Sequence, residues 1–440
     1  MFRTSRLSLL ILTIALVGGA LLIIGGAAPA QASPNAGANP RTAMNMPVGP
    51  GDIVISALNN EQYLPAVAYN SVHHEYLVVW HNKWGAGNRD IYAQRISDSG
   101  EVQNWIVVAA GGHDRAQPSV AYDPVRDRYL VVWIYDAAGN GSNYDVYGRF
   151  LPWNGPNASW TEFKIVDWAS NQFNPRVVFA GTQQEFLVVW TNDTGASPVP
   201  DYISGRRIFA DGSGFPTGGF AIASHLSENR VNAAVAYNHA RNEYLVTYDN
   251  GLDIFGVRLR GDGVALGGGE FGIAGWPSAE RYASVAACAR LDQYLVVWQS
   301  LENGNDENIY GRYVHGNGAP EQAWFVGGTQ IPGIKDLNPA VACNVQGDTY
   351  AIVWQFQYSN TTGPYGVWGR NVYANKQPGP PFTVSGAIAG ETTGRTRPAI
   401  AGGRIHFLAA WEAERWGTAW QDIRGRLIAQ RVLFLPSVRE

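Results

Sequence analysis

Apolar and polar positions along the chain alternate in short bursts rather than with a helical period. A five-residue apolar run with an aromatic end recurs seven times, at 76–80, 129–133, 186–190, 244–248, 294–298, 350–354 and 407–411 (YLVVW at 76–80, FLAAW at 407–411). Successive run ends lie 53, 57, 58, 50, 56 and 57 residues apart. Upstream of each lies a second signal, such as PAVAY at 65–69 or PAVAC at 339–343, and downstream a third, such as DIYAQR at 90–95 or NIYGR at 308–312. A fourth apolar burst closes six units, such as WIVVA at 105–109 and FTVS at 382–385. The bursts are rich in β-branched and aromatic residues and are separated by Gly, Asn, Asp and Pro, which predicts four strands per unit.

Seven four-stranded units predict an all-β, seven-bladed β-propeller. The fourth strand missing after the last unit has a copy at the front, DIVIS at 52–56. An N-terminal strand completing the last blade would pair two open edges and close the ring. The last blade's third strand is expected to run through Leu427 to Leu435. The repeat resembles that of secreted bacterial propeller proteins, whose blades carry YLVVW and D-I-Y-G-x-R signals before a Gly-rich turn. The resemblance covers about residues 52–431 and implies a fold, not a chemistry.

The N-terminus reads as a targeting segment. Arg3 and Arg6 precede an apolar run from Leu7 to Ala28, and Ala30-Gln31-Ala32 offers a small-x-small cleavage pattern. The expected organisation is a signal peptide over 1–32, a flexible linker over 33–50, the propeller over 51–432 and a tail over 433–440. An uncleaved leader would instead anchor the chain to a membrane. Either way the folded part is expected outside the cytoplasm, secreted or attached to the cell surface.

Composition narrows the functional classes. The chain has 440 residues, 32 basic and 36 acidic, and only 15% are charged. A net charge of −4 argues against nucleic acid as a partner. The basic residues are nearly all Arg; the lysines are Lys83, Lys164, Lys335 and Lys376, and none follows a Gly, which excludes a P-loop. No HExxH, HxH or GxSxG pattern is present. No cofactor, metal site or catalytic set is expected, and the chain is expected to be a monomer.

Aromatic ends present in every unit (Trp80, Trp133, Trp190, Tyr248, Trp298, Trp354 and Trp411) read as wedges packed between blades. Asp90, Asp145, Asp253 and Asp422 open third strands, with an Arg four or five residues later, and read as local turn caps. The unrepeated residues are the candidates for function. One face of a propeller carries the loops from strand two to three and from strand four to the next blade, and ligands favour such a face. Trp84, Trp276, Trp416 and Trp420, with Trp168, Tyr135 and Tyr358, fall there, and an exposed Trp beside polar residues suits a sugar ring. Three residues before each first strand stand Gln62, Arg115, Gln172, Arg230, Glu280, Asp336 and Arg395, a polar ring expected at the channel mouth. Arg115, Arg230 and Arg395 could hold an anionic group; Glu280 and Asp336 could act as acid and base or hold a cation.

These readings give a non-catalytic module binding a glycan or an extracellular protein through its loop face. The alternative is a carbohydrate-active enzyme, a glycosidase or lyase, with its site at the channel mouth. A sialidase is disfavoured: its S-x-D-x-G-x-T-W box has no copy, the nearest segment being Ser97 to Glu101. Four N-x-S/T sequons, at Asn140, Asn157, Asn192 and Asn360, fall in expected loops. The two cysteines, Cys288 and Cys343, end the first strands of neighbouring blades and are disulfide candidates, offset by one residue in the repeat.

Overall fold

The computed structural model describes residues 47–430, apart from 86, 155–160, 196–198, 303–305, 329–332, 358–363, 387–393 and 416–419. The proposed leader, the C-terminal tail and the linker up to residue 46 lie outside the described residues. Seven four-stranded antiparallel sheets form the seven blades. The first strands are Glu61–Asn70, Arg115–Asp123, Asn171–Ala180, Val231–Asn238, Ala279–Cys288, Asp336–Cys343 and Arg395–Gly402. Each packs beside the next, and that of blade 7 returns to that of blade 1, so the sheets close into a ring. The single helical element among the described residues is a 3₁₀ turn, Ala289–Leu291.

Blade 7 is completed by the N-terminal strand Pro47–Ser56, which pairs antiparallel with Gln421–Ala429. The strand begins inside the stretch expected to be linker, because its backbone pairs Pro47 and Val48 with Ile428 and Leu427 before a register shift to Ile53 and Gly425. The last third strand ends at Ala429, short of the expected Leu435. Closure buries Ile55 against Trp80 and Tyr92 of blade 1 and Ile423 and Leu427 of blade 7.

Seven apolar clusters hold the molecule together, each shared by two adjacent blades. The recurrent aromatic of each second strand is almost fully buried in one of them. Trp133 of blade 2, for example, sits among Leu77, Val79 and Ile91 of blade 1. A radial sheet diverges from its neighbour outward, and a large ring fills that wedge.

The repeated Gly-Arg of the third strand has a role the sequence reading missed. The Arg does not cap its own turn. Arg149 Nη1 donates to Val108 O at 2.6 Å, Arg370 Nη1 to Val326 O at 2.6 Å and Arg426 Nη1 to Val384 O at 2.9 Å. Arg206 and Arg312 do the same to Ile165 O and Ile273 O. In all five the acceptor lies at the outer strand of the preceding blade, so the Arg fastens blade to blade. The Gly before it leaves room for the fourth strand: a Cβ on Gly425 would lie 2.7 Å from Ile55 Cδ1 and 2.8 Å from Ala409 O. The strand-opening acids do act locally, as when Asp90 accepts from Gly111 N at 3.0 Å and Asp422 from Arg415 at 2.6 Å.

Each first strand carries one non-glycine residue in the left-handed region, at Leu64, Gln117, Asn174, Asn232, Tyr282, Asn338 and Arg397, with φ between 47° and 56°. Each coincides with a break in pairing register. The bulge turns its N–H toward the preceding blade. There the residue after the aromatic wedge accepts it in four seams: Glu412 from Leu64, Asp249 from Tyr282, Gln299 from Asn338 and Gln355 from Arg397, at 2.8 to 3.3 Å.

Candidate binding face

The seven equivalent polar positions sit under the loop face, six of them as the first or second residue of first strands that begin earlier than expected and Arg230 just before its strand, but they do not form an open ring. Arg115, Arg230 and Arg395 are only 2–3% exposed, and Gln62, Gln172, Glu280 and Asp336 are fully buried. The side chains leave the channel and run back beneath the loops, where each is bound by its own surroundings. Arg115 forks onto Glu162 at 3.1 and 3.3 Å with Tyr135 stacked 4.0 Å away. Arg230 forks onto Glu270 at 2.8 and 3.0 Å, and Tyr248 donates to the same carboxylate at 2.8 Å. Arg395 donates to Ser385 Oγ at 2.8 Å and faces Asp52 of the closing strand at 3.8 Å. The physical reason is length: an Arg at this position spans the blade edge and reaches a partner near its outer strand.

The two acids are likewise apart. Glu280 accepts from Ser278 Oγ at 2.7 Å, Trp276 N at 3.1 Å and Ser300 Oγ at 3.4 Å, and burial pushes its pKa up. Asp336 accepts from Trp354 Nε1 at 2.7 Å, and burial pushes it up to about 7. Neither reaches solvent and they share no partner, so they do not form an acid–base pair across a cleft. Among the described residues no group of three or more His, Cys, Asp or Glu is arranged to hold a metal ion.

The loop aromatics divide into two kinds. Trp276 is half-buried, packed edge-on against Tyr310 at 4.7 Å and against Trp298 at 5.9 Å, and Trp168 packs edge-on against Trp190 at 5.7 Å. Both anchor loops rather than offering a surface. Trp84 is 49% exposed and Trp420 37%. Trp84 stands at the end of blade 1's second strand and Trp420 in the strand two-to-three connection of the adjacent blade 7. Arg415 lies over the Trp420 ring at 5.3 Å and donates to Leu58 O at 2.7 Å, joining blade 7's loop to the segment that leads into blade 1. Trp416 and Tyr358 lie outside the described residues. Of the sequons, Asn140 is exposed, whereas Asn192 lies within a strand, buried, and bonded to Trp190 Nε1 at 3.0 Å and Ser204 Oγ at 2.7 Å. Asn157 and Asn360 lie outside the described residues.

Sequence reasoning missed Trp105. It is 55% exposed, with Val107 at 40% and Val102 at 46% on the same outer strand. Its ring stacks on Tyr92 at 5.4 Å, and the Trp84 indole bonds the Tyr92 hydroxyl. Blade 1 therefore shows solvent two tryptophans joined through one tyrosine. The signal was present. Five blades set a fourth-strand aromatic opposite the third-strand Gly, as Phe163 opposite Gly148, but blade 1 sets Ile106 opposite Ala93. The aromatic is displaced by one position, and one position in a strand means the other face.

Cys288 and Cys343 are joined in a disulfide, with Cα atoms 5.6 Å apart. Both end their strands, where the one-residue offset no longer forces the side chains onto opposite faces.

No protein-family model matches the chain, and no curated protein does. Solved structures do resemble it in fold. A protein of unknown function from Dyadobacter fermentans superposes with a TM-score of 0.50 at 12% identity, covering 88% of this chain and 99% of that one. The α-L-arabinanase of Penicillium chrysogenum, complexed with arabinobiose, gives 0.50 at 12%, covering 87% and 99%. The Swd1 propeller domain of Myceliophteria thermophila gives 0.49 at 10%, covering 86% and 99%. At such identities the likeness is one of fold alone.

Proposed function

We propose that this propeller is a glycan-binding module that works outside the cytoplasm and carries no catalysis of its own. The observation behind it is the exposed aromatic set at the junction of blades 7 and 1: Trp84 and Trp420 on the loop face, with Trp105 beside them through Tyr92. Exposed indoles cost solvation unless something covers them, and a sugar ring offers an apolar face to the indole and hydroxyls to the rim. Arg415 supplies a polar group over the Trp420 ring. The disulfide supports an oxidising compartment, consistent with removal of a leader at 1–32.

The alternative, a carbohydrate-active enzyme, draws support only from the shared propeller architecture, and its named acids, Glu280 and Asp336, are buried apart. A glycan array with product analysis separates the two. Binding without new reducing ends or unsaturated products supports the module, and turnover overturns it. The variants W84A and W420A are each expected to weaken glycan binding about tenfold or more. Unchanged binding in both removes the loop-face site.

A further inference from the structure

The central channel is walled by the first strands, and the middle of each is a stretch of five residues: 65–69, 118–122, 175–179, 233–237, 283–287, 339–343 and 398–402. Arg176 is the one charged residue in all of them. Register makes its equivalents certain. Ala66, Ser119, Arg176, Ala234, Ser284, Ala340 and Ala399 each pair with the residue before the aromatic wedge of their second strand. One long cation thus stands at a level where the six other blades place Ala or Ser.

The two serines show where this position points. Ser119 Oγ accepts from Val177 N at 3.3 Å and Ser284 Oγ from Val341 N at 3.2 Å, so the side chains face the seam to the next blade's first strand. A guanidinium on the same bond must pass beyond that seam into the channel. Arg176 is exposed, and the only solvent that reaches mid-strand on an innermost strand is that of the channel. Its hydrogen-bond partner is the carbonyl of Pro175 at 3.0 Å, and no carboxylate among the described residues pairs with it. The protein around it desolvates the charge and lowers its pKa, and no acid counters this. A partly desolvated cation with donors left over favours a counter-ion.

We propose that Arg176 forms an oxyanion site inside the channel, taking a sulfate, a phosphate or a carboxylate held by the guanidinium fork. The site is separate from the aromatic surface at blades 7 and 1 and stands whether or not that surface binds sugar.

The test titrates the whole chain with sodium sulfate at constant ionic strength by calorimetry, beside R176Q and R176K. Wild type is expected to bind one sulfate saturably, R176K about tenfold more weakly because an ammonium lacks the fork, and R176Q not at all. Without sulfate, R176Q is expected to melt at or above wild type, since it removes an uncompensated cation. Saturable binding that persists in R176Q, or its absence in wild type, overturns the proposal. Should R176Q fail to fold, R176K decides: unchanged affinity overturns it and weakened affinity supports it. Glucuronate and a sulfated monosaccharide, titrated the same way, separate the sources. Saturation by these sugars assigns an acidic glycan group, and saturation by sulfate alone assigns a free ion.

Discussion

The indole of Trp354 donates to Asp336 Oδ1 at 2.7 Å, and Oδ2 of the same carboxyl is buried with no hydrogen-bond partner. An ionised carboxylate would leave that oxygen uncompensated, so the group holds its proton: burial pushes its pKa from 3.8 to about 7. A native pKa above the unfolded one means that the native state binds more protons between the two values. Stability therefore falls as pH rises from about 4 to about 7, and the loss is complete above that. Blades 1 and 3 carry Gln at this position. D336N is expected to flatten that part of the stability profile and to raise stability at pH 8 by ~1–3 kcal/mol. Urea unfolding of both proteins at pH 5 and pH 8 checks this, and equal differences at the two pH values would contradict a protonated Asp336.

His81 predicts the opposite slope. It is buried in the seam between blades 1 and 2, its Nδ1 has no partner, and burial lowers its pKa to about 3. The unfolded chain then binds the extra proton below about 6.5, so stability falls as pH drops from there toward 3. Gln299 and Gln355, at the same repeat position, accept the bulge N–H of the next blade. H81Q is expected to do the same for Gln117 N and to retain more stability at pH 4.5, measured by chemical denaturation across pH. A variant that loses stability equally at pH 7.5 and pH 4.5 would refute the assignment.

How much of this was legible follows from what a repeat encodes. Blade number, strand order and the closing strand depend on patterns repeated seven times, and DIVIS at 52–56 betrayed itself as the missing copy. The wedge aromatics were readable for the same reason. The direction of a side chain in a curved sheet was not. Arg115 and Arg395 stand where the channel mouth should be, yet their length carries them to Glu162 and Ser385 at blade edges. Trp105 was hidden because it sat inside a strand signal, and only its one-position offset from the aromatics of other blades set it apart. Arg176 was concealed likewise within the first-strand burst PRVVF.

The Arg370 clasp makes a direct energetic prediction. Its Nη1 holds Val326 O and its Nε holds Gly379 O at 2.7 Å, tying blades 5 and 6. R370M keeps the buried stem but leaves two carbonyls without their donors, at ~1–3 kcal/mol each. R370K cannot reproduce two divergent donors and is expected to recover less than half of that. Equilibrium denaturation of the three proteins gives the comparison, and full recovery in R370K would show that charge, not geometry, matters there.

The disulfide closes a loop of 55 residues, Cys288 to Cys343, between the first strands of blades 5 and 6. The chain-entropy model assigns such a loop ~4 kcal/mol. The double variant C288S/C343S is expected to lose that amount, visible as a lower melting temperature with an unchanged far-ultraviolet spectrum at 25 °C. Wild type under reducing conditions is expected to match it. A variant as stable as the oxidised wild type would show that the bridge adds nothing to a ring already closed by other means.

Ring closure itself rests on the N-terminal strand. Asp52 accepts from Ser385 Oγ at 2.7 Å in blade 6 and lies 3.8 Å from both Arg395 and Arg426, while Ile55 plugs the seam to blade 1. Removing residues 1–56 uncovers the edge of Gln421–Ala429 and the apolar wall formed by Trp80, Tyr92 and Leu427. An exposed edge next to an uncovered apolar face invites pairing between chains. The truncated chain is expected to melt well below the full one and to aggregate. Adding the peptide 47–56 in excess is expected to restore part of the melting temperature, by mass action on the vacant edge. The peptide with Ile55→Asp should not restore it, because the seam cannot bury a carboxylate. If the truncated chain melts like wild type, the strand is an ornament and closure lies in the inner strands alone. Rescue by the Ile55→Asp peptide would instead locate the stabilisation in backbone pairing rather than in the buried isoleucine.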